Sequence, residues 1–332
     1  MLPTVSLIIP CYNEEKRIRS LLDALLAQTY PLEQMDVTIA DGLSQDRTRE
    51  VIADFQREHP QLAIRVIDNN AKTIPAAVNR AIEASAGEFI VRLDAHSAPN
   101  SDYVEKSVEA LLADRAENVG GVWEIQPGAD GWVAVAIAIA AAHPLGVGDA
   151  LYRHAREAAY VDTVPFGAFR RSLVEKIGGF DESLLTNEDY EFNTRIRQSG
   201  GRVWLNPQIR SVYFARATLS ALARQYWRYG LWKWQMLRRY PATVRWRQAL
   251  PPLFVLSVLA NLLLGFFFPV FWGLLALELG LYFGILFFAG IKKAIHLKQI
   301  FPLPGLPLAI ATMHFAWGSG FLWSILFGAK QK

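Results

Sequence analysis

A single cysteine, Cys11, leaves no internal disulfide to form, and a reducing, cytosolic setting is the default for the part of the chain that carries it. Acidic residues are almost absent from the rear. Residues 216–332 hold one, Glu278, against 13 Lys and Arg, whereas residues 1–215 hold 30 acidic and 21 basic side chains. So strong a division excludes a uniform soluble globule and indicates a rear that faces a membrane. Over Met1–Ile9 there is neither a basic segment nor enough apolar length for a secretory signal peptide, so nothing is expected to send the front across that membrane. No G-x-G-x-x-G follows the first apolar run and no G-x-x-x-x-G-K-[ST] occurs, which disfavours dinucleotide and P-loop phosphate sites. With 52% hydrophobic and 20% charged residues, the composition also excludes disordered, collagen-like and coiled-coil classes.

What the rear does contain is apolar length. Gln248–Ile291 is 44 residues with Glu278 as its one formal charge, enough at about 1.5 Å of helical rise per residue to cross a hydrocarbon layer of about 30 Å twice. The stretch predicts a helical hairpin broken at Gly265-Phe266-Phe267-Phe268-Pro269. After Lys292, Lys293 and Lys298 comes a second uncharged run, Gln299–Ala329, closed by Lys330 and Lys332. Pro302, Pro304 and Pro307 at its start, and Gly318, Ser319 and Gly320 in its middle, leave it open to a re-entrant course as well as to a third span. Trp132–Ala142 is too short to cross and suits a buried helix.

Between Arg216 and Arg247, eight Lys or Arg alternate with Tyr226, Trp227, Tyr229, Trp232, Trp234, Tyr240 and Trp246, the pattern of helices lying among lipid headgroups. Single-stranded nucleic acid could use the same interleaving, but the adjoining apolar run argues against that partner. These cations and the Lys292–Lys293 pair place the front in the cytosol by the positive-inside rule, and three spans would then put the C-terminus outside. The expected organisation is a cytosolic domain over 1–215, basic and aromatic interfacial helices over 216–247, and a membrane domain of about three transmembrane helices over 248–332.

In the front, short β-branched runs at Val5–Ile9, Val37–Ala40, Leu62–Ile67 and Phe89–Leu93 alternate with helical patterns at Glu14–Ala27, Thr48–Arg57 and Ile74–Ser85. That alternation predicts an α/β fold, a mostly parallel sheet with flanking helices whose ligands gather beyond the carboxyl ends of the strands. Those ends carry Pro10-Cys11-Tyr12-Asn13-Glu14, Asp41-Gly42-Leu43-Ser44-Gln45-Asp46, Asp68-Asn69-Asn70 and Asp94-Ala95-His96. Such an acid-rich rim suits a phosphate only when a divalent cation screens it. Asp94 and His96, an oxygen and a nitrogen ligand two residues apart, could hold one. Imidazole is a poor ligand for hard Mg²⁺ and so favours Mn²⁺ or a weakly held ion.

Together, Pro10 to Glu14, the Asp41-Gly42-x-Ser44-x-Asp46-x-Thr48 loop, Lys72 with Asn79, and Gly87-Glu88 leading into Leu93-Asp94-Ala95-His96 form ordered motifs. With Asn187-Glu188-Asp189 and Gln225-x-x-Arg228-Tyr229 they make the chain up to about Gly230 resemble the family 2 glycosyltransferases, which have the Rossmann-like GT-A fold. Asp94-Ala95-His96 departs from that family's D-x-D motif in its last residue. This variant, the Phe166-Gly167-Ala168-Phe169-Arg170-Arg171 run and the apolar tail look most like the succinoglycan ExoA-type membrane glucosyltransferases.

The resemblance implies a UDP-sugar donor, with Asp41 accepting from the uracil N3–H, Pro10, Tyr12 and Glu14 framing the nucleotide, and Lys72 and Arg228 meeting the diphosphate. Asp94 and His96 would share Mg²⁺ or Mn²⁺ with that diphosphate. Asp189 would be the general base, with Glu188 beside it as the alternative base or an acceptor-orienting group. Phe166, Gly167, Arg170, Gln225 and Tyr229 would meet the acceptor or its diphosphate. Each assignment has a plainer rival: Asp41-Gly42 also makes an Asx turn, Lys72 and Arg170 read as surface cations, and Thr186-Asn187-Glu188-Asp189 is an ordinary helix start. A helix N-terminus would lower the Asp189 pKa, and Glu278, inside a predicted span, is a functional candidate whose plainer reading is pairing with Lys292 or snorkelling.

The expectation is therefore an inverting transferase that moves a hexose, glucose by resemblance, to a polyprenyl-diphosphate-linked sugar at the inner membrane, with other polysaccharide-assembly proteins as partners. A processive polysaccharide synthase and a non-catalytic membrane scaffold of the same fold are the alternatives. Tyr229, standing where processive synthases carry Trp, speaks against the first.

Overall fold

The computed structural model describes residues 2–243 and 245–329, apart from the side chains of Ala242, Trp246 and Arg247; Lys330 and Lys332, expected to close the last span, lie outside the described residues. The chain forms two compact units: Met1–Glu124 with His154–Tyr213, and Ile125–Arg153 with Phe214–Lys332. Residues 125–153 therefore group with the rear, although the sequence reading placed them in the front domain.

The first unit opens with β1 (Val5–Cys11), α1 (Ile18–Leu26), β2 (Met35–Asp41), α2 (Thr48–Glu58), β3 (Ala63–Asp68), α3 (Ile74–Ala84) and β4 (Phe89–Arg92). Helices form here because apolar side chains recur at helical spacing: Ile18, Leu21, Leu22 and Leu25 make one fully buried stripe on α1. Each such side chain contributes about 1.5–3 kcal/mol by leaving water. They pack with Leu7, Ile9, Val37, Ile39, Phe55 and Val91 into one core.

Next come β5 (Ala98–Pro99), α4 (Tyr103–Leu112) and β6 (Asn118–Gln126), then α5 (Trp132–Ala141) and α6 (Pro144–Val147), which belong to the second unit. The chain returns as β7 (Ala159–Tyr160), β8 (Ala168–Arg170), α7 (Arg171–Ile177), α8 (Glu188–Gln198) and β9 (Val203–Phe214). The sheet order is β3-β2-β1-β4-β8-β6-β9-β5, with β7 beside β9. Strands β3, β2, β1 and β4 run parallel, while β8 is antiparallel to both β4 and β6, and β5 and β7 to β9. The sheet is thus mixed, as the GT-A fold requires, and the mostly parallel expectation holds for its first half.

The second unit also contains α9 (Leu219–Arg239), α10 (Trp246–Gly265), α11 (Val270–Leu297) and α12 (Pro302–Phe327). The last three are long and apolar enough to cross a membrane. The hairpin breaks at Gly265–Pro269 as expected, because Pro269 cannot continue the α10 hydrogen bonding. Pro302 and Pro304 do not spoil α12: they occupy its first turn, where amide donors have no intrahelical partner, and the helix runs unbroken for 26 residues.

Helix α12 packs against α5, α9, α10 and α11. Within the expected interfacial segment, α9 buries Leu222, Tyr226, Trp232 and Met236 and leaves Arg224, Arg228, Arg238 and Arg239 exposed. Its backbone presses on α12 so closely at Gly230 that an added Cβ would lie 2.1 Å from the Trp317 carbonyl oxygen. Gly230→Leu is expected to destabilise the unit by about 1–3 kcal/mol, as overpacking does, lowering the melting temperature measured in detergent. Glu278, rather than pairing with Lys292, accepts hydrogen bonds from Ser257 Oγ (3.1 Å) and Asn261 Nδ2 (3.0 Å) of α10, a polar clasp between two apolar helices.

Candidate active site

The parallel register brings the strand ends level: Cys11 stands opposite Asp41, Asp41 opposite Asp68, and Ile8 opposite Arg92. Side chains tie the loops leaving these strands to one another. Ser44 Oγ accepts from the Asn13 amide (2.8 Å), Asn13 Oδ1 from the Gln45 amide (2.8 Å), and Thr48 Oγ1 from the Glu14 amide (2.7 Å). Five non-glycine residues at this edge have positive φ: Asn13 (55°), Leu43 (63°), Lys72 (56°), Phe166 (62°) and Asn187 (71°). Such conformations cost about 1–3 kcal/mol each and persist where surrounding structure over-determines them, commonly at functional sites.

Asp41 is fully buried. It accepts from the Ser44 amide (3.0 Å), Ser44 Oγ (2.5 Å) and Arg49 Nε (2.6 Å), and Arg49 reaches on to Asp68 (2.5 Å). The turn reading of Asp41 holds, since it shapes the loop through Ser44, and its carboxylate is also taken up by an arginine at the rim. Arg49 is a residue the sequence reading passed over as one of the many polar positions on an amphipathic helix. What the loops show to solvent is the Tyr12 ring, 48% exposed, and Lys72, whose ammonium makes no ion pair among the described residues. Pro10 is buried in β1.

The second half of the site is built around Arg92, also missed. Its side chain, 2% exposed, donates from one nitrogen to Glu188 (3.0 Å) and Asp94 (3.3 Å) and from the other to Asp189. Its Cζ lies 5.7 Å from the Phe180 ring centroid. The Arg92 amide donates to the Gly167 carbonyl (3.0 Å), and the Phe166 amide to Asp189 Oδ2 (3.4 Å), so Phe166 and Gly167 border this cluster. Only glycine suits position 167: φ is +91°, and an added Cβ would lie 2.5 Å from Asn118 Oδ1. Helix α8 is held by a buried amide pair, Asn118 Nδ2 donating to Asn193 Oδ1 at 2.7 Å.

Asn187 takes the N-cap position in a left-handed conformation and makes no side-chain cap, so this is not the ordinary helix start of the plainer reading. The Asp189 pKa also departs from expectation. Burial pushes it up to about 8; the Arg92 guanidinium and the Phe166 amide oppose the rise, and Glu188 and Asp94 add to it. Desolvation and two neighbouring carboxylates thus outweigh the helix N-terminus. Glu188 turns inward on Arg92 with its side chain 10% exposed, whereas Asp94 (22%) and Asp189 (24%) open toward the surface. Buried Tyr103 lies near both, and its phenol is raised by burial first and then by Asp189 and Asp94.

His96 Nδ1 lies 2.9 Å from Glu14 Oε1, a carboxylate partner of the kind that orients a ligating imidazole. Among the described residues no group of three His, Cys, Asp or Glu side chains could hold a metal ion. Asp94 is turned to Arg92 and His96 to Glu14.

Arg170 is not part of the edge. It pairs with Glu88 and Asp114 (both 3.3 Å) and stacks over Phe89 at the opposite, amino end of β4. Arg171 likewise bonds the Gly87 and Ile82 carbonyls (2.9 and 3.0 Å). Gln225, Arg228 and Tyr229 lie on α9 in the second unit, where Gln225 Nε2 donates to the Tyr229 hydroxyl at 2.9 Å.

The sheet is mixed and GT-A-like with an acidic rim, and residues 6–178 match the model of glycosyl transferase family 2, to which the chain belongs. It is 32% identical over 328 residues to the succinoglycan biosynthesis protein ExoA of Rhizobium meliloti, covering 98% of this chain and 96% of that one. A Methanococcus voltae dolichyl N-acetyl-alpha-D-glucosaminyl phosphate 3-beta-D-2,3-diacetamido-2,3-dideoxy-beta-D-glucuronosyltransferase is 29% identical over 73% of this chain and 76% of its own. Among solved structures, the Pyrobaculum calidifontis mannosyltransferase PcManGT, in complex with GDP-Man and Mn²⁺, superposes with a TM-score of 0.63 at 21% identity, covering 98% of this chain and 88% of the other. The chain is a family 2 glycosyltransferase with three long apolar helices that suit membrane association.

Proposed function

We propose that this enzyme is an inverting hexosyltransferase that moves glucose from UDP-glucose to a sugar on a polyprenyl diphosphate, at the cytosolic face of the inner membrane, for a cell-surface or exopolysaccharide. One observation carries the chemistry: Arg92 brings Asp94, at the end of the donor strand, and Asp189, at the start of α8, onto a single guanidinium. The likeness to a succinoglycan protein and to a transferase named for a dolichyl-linked sugar supports the lipid-linked acceptor. The apolar helices and basic flanks support the membrane setting.

The donor's base rests against the Tyr12 ring beside the Pro10–Glu14 loop. Asp41 orders that rim through Ser44 and Arg49, and Lys72 faces the diphosphate. Asp94 and His96 would hold a divalent ion, Mn²⁺ in preference to Mg²⁺. When bound, such an ion supplies Lewis-acid stabilisation of the charge gathering on UDP. Asp189 accepts the proton of the acceptor hydroxyl as that oxygen forms its bond to the anomeric carbon. The bond from that carbon to UDP breaks on the opposite face, the electron pair leaves with UDP, and the configuration inverts. Gln225, Arg228 and Tyr229 act on the acceptor or the diphosphate.

Arg49→Ala frees the Asp41 carboxylate and opens the rim. It is expected to weaken UDP binding by about 10-fold, near 1.4 kcal/mol, in calorimetry. Unchanged affinity would remove the Asp41–Arg49 pair from donor recognition. The functional test is a screen of nucleotide sugars for divalent-dependent transfer into membrane lipid extracts, with the product read by mass. One added hexose supports the reading, and a ladder of additions indicates a processive synthase instead.

A further inference from the structure

We propose that Arg92 is a positioning residue of the transfer reaction: one buried guanidinium sets the donor-side carboxylate of Asp94 and the acceptor-side carboxylate of Asp189 in a single frame. The inference rests on the inverting-transfer reading and adds the device that keeps its two halves in register.

Asp94 and Asp189 are far apart in sequence and belong to different elements, one just past β4 and the other in the first turn of α8. Arg92 bonds both, its own backbone is anchored by the Gly167 carbonyl at 3.0 Å, and its Cζ sits over the Phe180 ring. A planar fork with fixed donor directions transmits position between its partners, which a rotating ammonium does not.

The charge balance separates this role from a plain structural ion pair. A buried arginine needs one counter-ion, and inward-turned Glu188 supplies it at 3.0 Å. Two further carboxylates on the same cation leave uncompensated negative charge in a largely desolvated place, an arrangement that disfavours folding. Those two are also the more exposed of the three. The surplus acids are therefore presented outward by a group that Glu188 holds still from behind.

The test is steady-state kinetics on the full-length enzyme in detergent with UDP-glucose and lipid extract, alongside UDP calorimetry and thermal melting. Arg92→Lys keeps the charge and loses the fork. It is expected to fold, to bind UDP within about three-fold of the wild type, and to lose about 10–100-fold in kcat at similar KM, since displacement of a reacting group by about 1 Å has that effect. On an Asp189→Asn background it is expected to cost less than in the wild type, because the share that acts through Asp189 is already lost and only the share through Asp94 remains.

A kcat unchanged in Arg92→Lys, a loss confined to KM, or a loss as large on the Asp189→Asn background as in the wild type would overturn the proposal. If Arg92→Lys does not fold, Arg92→Met with Glu188→Gln removes one charge of each sign and poses the same question. The same fall in kcat is then expected, and an intact kcat contradicts it. The reading beneath fails separately, through a wild-type enzyme that transfers no hexose at all. Active wild type, inactive Asp189→Asn and unaffected Arg92→Lys would sink this inference alone.

Discussion

Asp189→Asn is expected to lower kcat by about 10²–10⁴-fold, the range over which a positioned general base acts, while UDP-sugar affinity stays within a few-fold. The amide keeps the size of the side chain and can still meet the Phe166 amide, but it cannot take a proton. The structure also gives this residue a pH signature. Its carboxyl is raised to about 8 by burial, with Glu188 and Asp94 adding to the shift. A base works ionised, so kcat/KM should climb with pH through a value above the ordinary carboxylate range. A profile already flat above pH 5 would contradict the assignment. Loss of UDP binding in Asp189→Asn would show instead that the residue serves the donor.

The second large effect is expected at Asp94. Asp94→Asn keeps a neutral partner for Arg92 and removes the charged oxygen that, with His96, suits a divalent ion on the diphosphate. A loss of about 10²–10³-fold in kcat is expected, the scale of removing one group aimed at developing negative charge. The readout that isolates the cause is UDP binding with and without Mn²⁺. Wild-type affinity should rise on adding Mn²⁺ and the variant's should not. Chelation of the wild type should abolish transfer, and Mn²⁺ should restore it at lower concentration than Mg²⁺, as a nitrogen ligand at His96 would require. Restoration by Mg²⁺ alone would argue that His96 does not ligate.

Much of this architecture is written locally. The β-α alternation from Val5 to Leu93, the acids at the strand ends and the proline break at Pro269 each depend on a few neighbouring residues, and each appears where the pattern puts it. The antiparallel half of the sheet does not, because β5, β7 and β8 are two or three residues long and carry no readable period. Trp132–Ala141 is a short helix as expected, yet its packing partner is α12, more than 160 residues later, and no local pattern names such a partner.

Within the site, Asp94, Glu188 and Asp189 were legible as motif residues. Arg92 was not, although its signal was present: a charged residue inside the apolar run Phe-Ile-Val-Arg-Leu must have buried acids to pair with. The same oversight hid Arg49 and made Asp41 look like an open acceptor. Arg170 shows the opposite error. It stands only three residues from Gly167, but β8 runs antiparallel to β4 and carries it toward the far end of the sheet.

The most direct test of the central claim is the anomeric configuration and number of sugars in the product. Purified enzyme would be given UDP-α-glucose, Mn²⁺ and membrane lipid extract, and the lipid-linked product analysed by mass and by the coupling constant of its anomeric proton. One hexose in β linkage, absent with Asp189→Asn, is the predicted result. An α-linked product, or undiminished transfer by Asp189→Asn, would contradict displacement by a base at the Arg92 cluster.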